Sequence, residues 1–294
     1  CKLMEAVIKE KIVHHIEDKN LFTPHQHGFT RHKSCLTNLL KTLEDWTTSL
    51  ERGYGVDVLY LDYQKAFDTV PHLRLLKKLQ WYGVSGKIGA WIKDFLTERI
   101  MRVVVGASTS SWSTIKSGVS QGSVLGPLLY LLYVNYIPKL LKSKVKLFAD
   151  DMKIWHEVRS LSDVHVIAHD LKTLEQYSEK WLIKFNTVKC QHMSIGHKFN
   201  TGYRMTNGSV ATEIEHVKHC RDLGIQISED LKWSHQCNQA ASKAMSVLGM
   251  IRRAFGKISK EVFMTLYCTY VRPHLEFCIQ AWAPHYEKDI QTLE

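Results

Sequence analysis

Three carboxylates carry the chemistry most readily read from this chain. Asp62 closes the run Val56-Asp57-Val58-Leu59-Tyr60-Leu61, and Asp150 and Asp151 stand together inside Lys144–Trp155. Gathered at one point, three carboxylates repel one another and stay partly protonated unless cations neutralise them. Hard oxygen donors without neighbouring Cys or His suit Mg²⁺. Two such ions about 3.5–4 Å apart can activate a 3′-hydroxyl and stabilise a leaving pyrophosphate, which is what nucleotide polymerisation needs. The alternative is a set of solvated turn acids, common in surface loops.

The elements that must position these acids follow from periodicity. Val56–Leu61 is β-branched and apolar and is set off by Gly53 and Gly55, so it reads as a buried strand ending in an acid. Lys144–Trp155 alternates on both sides of the acid pair, which predicts a hairpin with Asp150 and Asp151 at its tip. Helical spacing marks Leu3–Ile16, Leu36–Leu50, 72–82, 86–97, a stretch after Gly122, and Ile167–Trp181. Arg99–Val105 and Trp112–Ser117 predict two strands around a small-residue turn. Two or three short strands are expected next, ending at Leu223–Ile227. Leu231–Lys260 reads as helix again and holds basic residues but no Asp or Glu. Its alternatives are a phosphate-binding face or a merely solvated one. The pattern as a whole is α+β: a small sheet, helices packed on it, and a basic helical tail.

Composition narrows the function. Lys and Arg number 39 against 29 acids, a formal charge of +10, which favours a polyanionic partner and nucleic acid above all. Hydrophobic residues at 45% exclude wholesale disorder. No apolar run approaches the roughly 20 residues of a membrane span, so no membrane partner is expected. The seven Cys are odd in number and form no CxxC pair, and His216-x-x-His219-Cys220 has no second cluster to complete a zinc site. Reduced thiols of an intracellular protein are the simpler reading. The first residues lack a signal-peptide pattern and a starting Met, so the chain is expected to be part of a longer one.

Ordered motifs sharpen this reading. Leu61-Asp62-Tyr63-Gln64-Lys65-Ala66-Phe67-Asp68 resembles motif A of reverse transcriptases, Ser117–Pro127 motif B, and Phe148-Ala149-Asp150-Asp151 motif C. Trp181–Asn186 through Lys189-Cys190 resembles motif D, and Asp222-Leu223-Gly224-Ile225 motif E. Gln26-His27-Gly28-Phe29 and Val271-Arg272-Pro273-His274-Leu275-Glu276 fit the same group, the jockey-like enzymes of non-long-terminal-repeat (LINE-type) retrotransposons. The resemblance covers essentially the whole chain. It implies a right-hand polymerase with a palm sheet, incomplete fingers and a helical thumb. The implied partition is partial fingers at 1–56, a palm at 57–227 with a fingers insertion around 85–120, and a thumb and start of a C-terminal region at 228–294.

The resemblance also implies roles. Asp62 and Asp150 would hold two Mg²⁺ ions, with Mn²⁺ as a substitute, Asp151 assisting and the Tyr63 carbonyl completing a shell. Phe67 would be the gate against a ribose 2′-hydroxyl, unless it is a plain core residue. Gln121 and Gly122 would lie along the nucleotide and template. Lys189 would protonate pyrophosphate, unless it is a solvated loop lysine, and Leu223 and Gly224 would grip the primer. The basic window would be the thumb, with Lys243, Arg252, Arg253 and Lys257 meeting phosphates. The implied activity is RNA-directed DNA synthesis, extending a DNA primer or nicked target DNA on an RNA template with deoxynucleoside triphosphates, in nucleus and cytoplasm. The rival reading is an inactive relic that only binds nucleic acid.

The chain departs from the family at Ser120, where motif B has Pro, at Tyr136, where Asp usually follows Asn, and at Thr30-Arg31-His32-Lys33, where the family favours an Arg- and Gly-bearing run. It opens just past the fingers segment whose Arg holds the triphosphate. It is therefore expected to polymerise poorly by itself. An endonuclease domain is expected upstream.

Overall fold

Strand β1 (Gly55–Leu61) is buried along nearly its whole length, as its apolar β-branched sequence predicts. The structure, a computed structural model, describes residues 2–207 and 210–294; Cys1 lies outside them. Ahead of β1 come α1 (Lys2–Asp18) and α2 (Cys35–Glu51), and after it α3 (Ala66–Thr69), α4 (His72–Trp81) and α5 (Gly86–Leu96). An exposed arm carries β2 (Ile100–Met101), β3 (Val104–Val105), β4 (Ser108–Thr109) and β5 (Ser113–Thr114). Then come α6 (Gly126–Val134), β6 (Lys144–Phe148), β7 (Asp151–Val158) and α7 (Val164–Trp181). Six short strands come next: β8 (Gln191–Ile195), β9 (Arg204–Asn207), β10 (Val210–Glu213), β11 (Glu215–His216), β12 (His219–Asp222) and β13 (Ile225–Ser228). The chain closes with α8 (Ser234–Phe255), α9 (Lys260–Leu266), α10 (Arg272–Glu276), α11 (Ile279–Trp282) and α12 (Glu287–Leu293). Among the described residues no helix is long and apolar enough to cross a membrane.

The main sheet has the order β11-β8-β1-β7-β6, antiparallel except where β11 runs parallel to β8. Successive residues of a strand face opposite sides. Leu59, Leu61, Met152 and Ile154 thus join one core with α1, α6 and α7, while Val56, Val58, Trp155 and Met193 join another. The second core takes in Trp46 of α2, Ile225 and Ile227 of β13, and Cys237 and Ala240 of α8. Trp46 meets Trp155 edge to face at 6.2 Å.

Three expectations need correction. The arm is not one strand pair but two ladders, β2–β5 and β3–β4; between them the Ser110 N–H still donates to the Val103 carbonyl (2.9 Å), but the Val103 N–H donates to the Ser110 hydroxyl (2.9 Å) instead of a backbone carbonyl. The two or three strands foreseen after Trp181 are six, too short to show a period. The basic helix starts at Ser234 and stops at Phe255, where Gly256 turns the chain with φ 57. Lys257 therefore lies outside it.

Asp57 is the one charged residue of β1, and it is fully buried. Its Oδ1 accepts from His192 Nε2 (3.0 Å), His197 Nε2 (3.0 Å) and Ser194 Oγ (2.7 Å), and its Oδ2 accepts from Tyr203 Oη (2.7 Å). Burial opposes its ionisation, but the two histidines and Ser194 outweigh it and hold the carboxyl well below the usual range. Removing such a partner leaves the others buried and unpaired, so Asp57→Ala is expected to cost about 3–5 kcal/mol in urea denaturation. A carboxylate depressed in the folded state stabilises fully above its unfolded value near 3.9, and the contribution is withdrawn as pH falls below that. Wild type should therefore lose stability more steeply than Asp57→Ala below about pH 4. Parallel profiles would show that Asp57 is not held ionised.

Candidate active site

The pairing Leu61↔Met152 leaves Asp62 and Asp151 as the next residues along β1 and β7. Alternation sets both on the face that bears the cross-strand pair Tyr60↔Lys153. Ala149 and Asp150 form the two-residue turn beyond the last β6–β7 pair, Phe148↔Asp151. Ala149 has φ 56, the positive value that tight hairpin turns need at the first central position and that a residue with a Cβ adopts at a cost.

A clasp holds that turn. Gln26 Oε1 accepts from the backbone N–H of both Gly28 (2.8 Å) and Ala149 (2.9 Å). The Leu147 N–H donates to the His25 carbonyl (3.0 Å), and His27 N–H donates to the Leu147 carbonyl (2.9 Å). A Cβ on Gly28 would stand 2.4 Å from the Ala149 nitrogen, so only glycine fits there. Sequence reasoning assigned Gln26 and Gly28 no role.

Asp62 is fixed from its other side. Its carbonyl accepts from Asn186 N–H (2.8 Å), and Tyr63 is bridged to Phe185 with the two rings stacked at 4.5 Å. The loop from Asn186 returns Lys189, whose Nζ lies 3.8 Å from Asp62 Oδ2. Desolvation raises the Asp62 pKa and Asp150 adds to it, while Lys189 opposes. Asp151 is pushed up to about 6 by desolvation and by Asp150, Asp222 and Asp62, against Lys153. Among the described residues no three His, Cys, Asp or Glu side chains are arranged to hold a metal ion. The carboxylates are near enough to repel without having closed on one point, and as hard oxygen donors in excess of positive charge they fit a divalent cation. Asp62, Asp151, Lys153, Lys189, Asp222 and Leu223 line one cleft of about 220 Å³.

Phe67, on α3, is half-buried and stacks on Tyr130 at 4.5 Å. Burial holds the Tyr130 hydroxyl neutral, with Tyr63 and Asp150 adding in the same direction. Gln121 Nε2 donates to Asp68 Oδ1 (2.9 Å), and Gly122 is exposed with φ 77. The preceding segment is laced to α3 by Val119 N–H on the Phe67 carbonyl (2.8 Å), and a Cβ on Gly118 would come 2.7 Å from the Asp68 oxygen. Leu223 and Gly224 are the turn between β12 and β13, with φ 45 and 96, rather than part of a strand. Lys243, Arg252 and Arg253 are exposed on α8. Lys243 and Arg252, nine positions apart, face roughly opposite ways at 3.6 residues per turn, so with Lys257 off the helix the four do not form one stripe.

Two of the departures from the family, Ser120 and Tyr136, make their contacts away from the carboxylates. The Ser120 hydroxyl accepts from Arg99 Nη2 (3.1 Å), and the Ser120 carbonyl accepts from the Ser123 hydroxyl (2.6 Å). Tyr136 is half-exposed, and Asn135 keeps its buried bonds to Thr23 N–H (2.8 Å) and the Leu21 carbonyl (2.7 Å).

Comparison with known proteins agrees with this geometry. The profile described as reverse transcriptase (RNA-dependent DNA polymerase) matches residues 1–251. The chain is 24% identical over 305 residues to the probable RNA-directed DNA polymerase from transposon X-element of Drosophila melanogaster, covering 100% of this chain and 33% of the relative. It is 25% identical over 295 residues to the RNA-directed DNA polymerase from mobile element jockey of the same species, covering 96% of this chain and 32% of the relative. The chain thus spans about a third of these relatives' length. Among solved structures, telomerase from Candida albicans in complex with a fragment of telomeric RNA superposes with a TM-score of 0.53 at 11% identity, over 98% of this chain and 53% of that one. Apo telomerase from Candida tropicalis gives 0.54 at 11% identity, over 80% and 42%. These likenesses make the fold that of a right-hand polymerase.

The clasp is testable by metal binding. Gly28→Ala must displace either its own loop or the Ala149–Asp150 turn. Disturbing what supports a metal ligand typically costs 10–100-fold in affinity, and that loss is expected in an Mn²⁺ titration. Gly122→Ala meets no neighbouring atom, so its strain is local and Mn²⁺ affinity should stay within about twofold. Equal affinities for both variants would remove the clasp's role.

Proposed function

The chain belongs to the reverse transcriptase (RNA-dependent DNA polymerase) family, and from that premise we propose that it is the RNA-directed DNA polymerase domain of a non-long-terminal-repeat retrotransposon. The observation that carries this is the register placing Asp62 and Asp151 side by side, Asp150 on the adjoining turn and Lys189 3.8 Å from Asp62. Asp62, Asp150 and Asp151 would hold two Mg²⁺ ions, or Mn²⁺, with the Tyr63 carbonyl as a further donor. When bound, such ions lower the pKa of a 3′-hydroxyl and offset charge on a leaving pyrophosphate.

The chain's own groups do the rest. Lys189 stands where it can give a proton to pyrophosphate. The Phe67 ring closes the space that a ribose 2′-hydroxyl would need, selecting deoxynucleoside triphosphates. Gln121 and Gly122 lie along nucleotide and template, and Leu223 and Gly224 back the primer strand. Arg252 and Arg253 in the last turn of α8 meet phosphates of the duplex, joined by Lys243 and Lys257 from other directions. In this reading residues 1–56 are partial fingers, 57–227 the palm with its insertion around 85–120, and 228–294 the thumb and the start of a C-terminal region. The partners are an RNA template and a DNA primer or nicked target DNA, which implies work in the nucleus after synthesis in the cytoplasm. The intact carboxylate set disfavours a relic that only binds nucleic acid.

The test is primer extension on an RNA template with deoxynucleotides and Mg²⁺. It uses the 294 residues alone and the same residues preceded by a fingers segment carrying a triphosphate-binding Arg. Slow synthesis is expected from the first and faster synthesis from the second. Asp150→Asn should abolish at least about 10²-fold of either rate, the scale of losing a principal electrostatic group. No synthesis by the longer chain with primer and template bound, or a rate indifferent to Asp150→Asn, would overturn the proposal. In the active form Phe67→Val should raise the use of ribonucleotides relative to deoxynucleotides by about 10-fold or more, since relieving a steric clash of this kind is worth about 1–3 kcal/mol. Unchanged discrimination would leave Phe67 a packing residue on Tyr130.

A further inference from the structure

We propose that the buried ion pair between Lys153 and Asp222 sets where a primer 3′-end lies relative to the catalytic carboxylates, so that both are positioning residues for the reaction. The inference rests on the polymerase reading above and names residues that reading does not use.

The placement of the two groups carries the argument. Lys153 comes two positions after Asp151 on β7, hence on the same face of the strand. Asp222 ends β12 and immediately precedes the Leu223–Gly224 turn. Their side chains are 4% and 7% exposed and joined Nζ to Oδ2. One charged hydrogen bond therefore runs from the strand that bears a catalytic carboxylate to the turn that would back the primer.

The hairpin needs such a tie. β12 and β13 form their own two-stranded ladder, which among the described residues shares no strand pairing with the five-stranded sheet. A thiol contact from Cys220 to Gln191 (3.3 Å) is a second, weaker polar link. On that same face Ile227 and Ile225, the cross-strand partners of Cys220 and Asp222, pack into the core shared with the main sheet and α8. Apolar packing is non-directional and lets a ladder shift along its neighbour. A charge-assisted hydrogen bond fixes distance and direction. Net stability is a poor explanation for the pair, because desolvation of two buried charges consumes most of their attraction. Leu223, held at φ 45, also makes the turn strained, and strained backbone keeps its shape only where its surroundings impose it. Without Lys153, moreover, Asp222 would stand in the cleft as a further bare carboxylate beside Asp62 and Asp151.

The test uses the full chain bound to an RNA template with an annealed DNA primer. Fe²⁺ replaces Mg²⁺ as a probe, so that radicals generated with ascorbate and peroxide cut the primer nearest the carboxylates. In wild type the cuts should be focused on the terminal nucleotides of the primer. The double variant Lys153→Met with Asp222→Leu replaces the pair by apolar groups and should keep a near-wild-type folding midpoint. Its cuts should spread over several nucleotides. Its kcat for extension should fall about 10–100-fold at saturating primer and nucleotide, with nucleotide KM within about twofold, as misplacing a reacting group by about an ångström does. Lys153→Gln with Asp222→Asn is a second variant that keeps a neutral hydrogen bond and should show the same spread. Lys153→Arg keeps the ion pair and should keep the cuts focused. Focused cuts and wild-type kcat in both double variants would overturn the inference and leave the polymerase reading standing. Unfocused cuts in wild type itself would remove that reading, and this inference with it.

Discussion

A two-residue turn that bears one carboxylate and abuts two more must be kept shut against their repulsion. Like charges a few ångströms apart near a protein surface repel by a few kcal/mol, about 4 at 4 Å and an effective dielectric of 20. Each hydrogen bond of the Gln26 clasp returns only about 1 kcal/mol. The clasp can therefore set the geometry of Ala149–Asp150 but cannot offset the charge. Positive charge has to come from elsewhere, and Lys189 beside Asp62 and Lys153 beside Asp222 supply part of it within the cleft. The remaining deficit is what gives a divalent cation its reason to bind. The burial of β1 on both faces makes the scaffold rigid enough for such a site to exist at all.

The two cores have different tasks. The one beneath α1, α6 and α7 includes the elements around Phe67 and Tyr130, and so supports the space a nucleotide would enter. The other joins Val58 and Trp155 to the β12–β13 hairpin and to α8. A movement of α8 is thereby felt at the Leu223–Gly224 turn. Phe277 adds to this, since a Cβ on Gly224 would come within 3.0 Å of its ring. The segment between α10 and α11 thus fits closely against that turn.

How much the sequence disclosed depended on whether a period or a known order of motifs was present. β1 is a continuous apolar β-branched run set off by glycines, and the β6–β7 hairpin and the long helices repeat at 2 and 3.6 residues, so their acids could be placed from pattern alone. Motif order added Phe67, Gln121, Lys189 and Leu223–Gly224, whose types and spacing mean little by themselves. The Gln26–Gly28 clasp, the Asp57 network and the Lys153–Asp222 pair escaped for one reason. Each is a contact between positions that are far apart in the chain, and each uses a residue type common in loops or on surfaces. The end of α8 was misplaced because Gly256 stops a helix without changing the basic composition around it, which also put Lys257 on the wrong element. The break in the arm turned on a single hydroxyl, Ser110, that no alternation pattern marks.

The central place of β1 has a consequence for the timing of synthesis. Its two neighbours in the sheet, β7 and β8, are both encoded long after it, with β8 ending at Ile195. At roughly 5–20 residues per second a ribosome needs several seconds to tens of seconds to deliver them. Until β7 emerges this buried strand waits with both edges open, and until β8 emerges with one. Non-local pairing of this kind is slow to form, and open apolar edges recruit other chains. A chain cut short before Ile195 is then no partial enzyme. It is a sticky fragment fit for a chaperone or a protease, so the output of each translated message is nearly all or nothing.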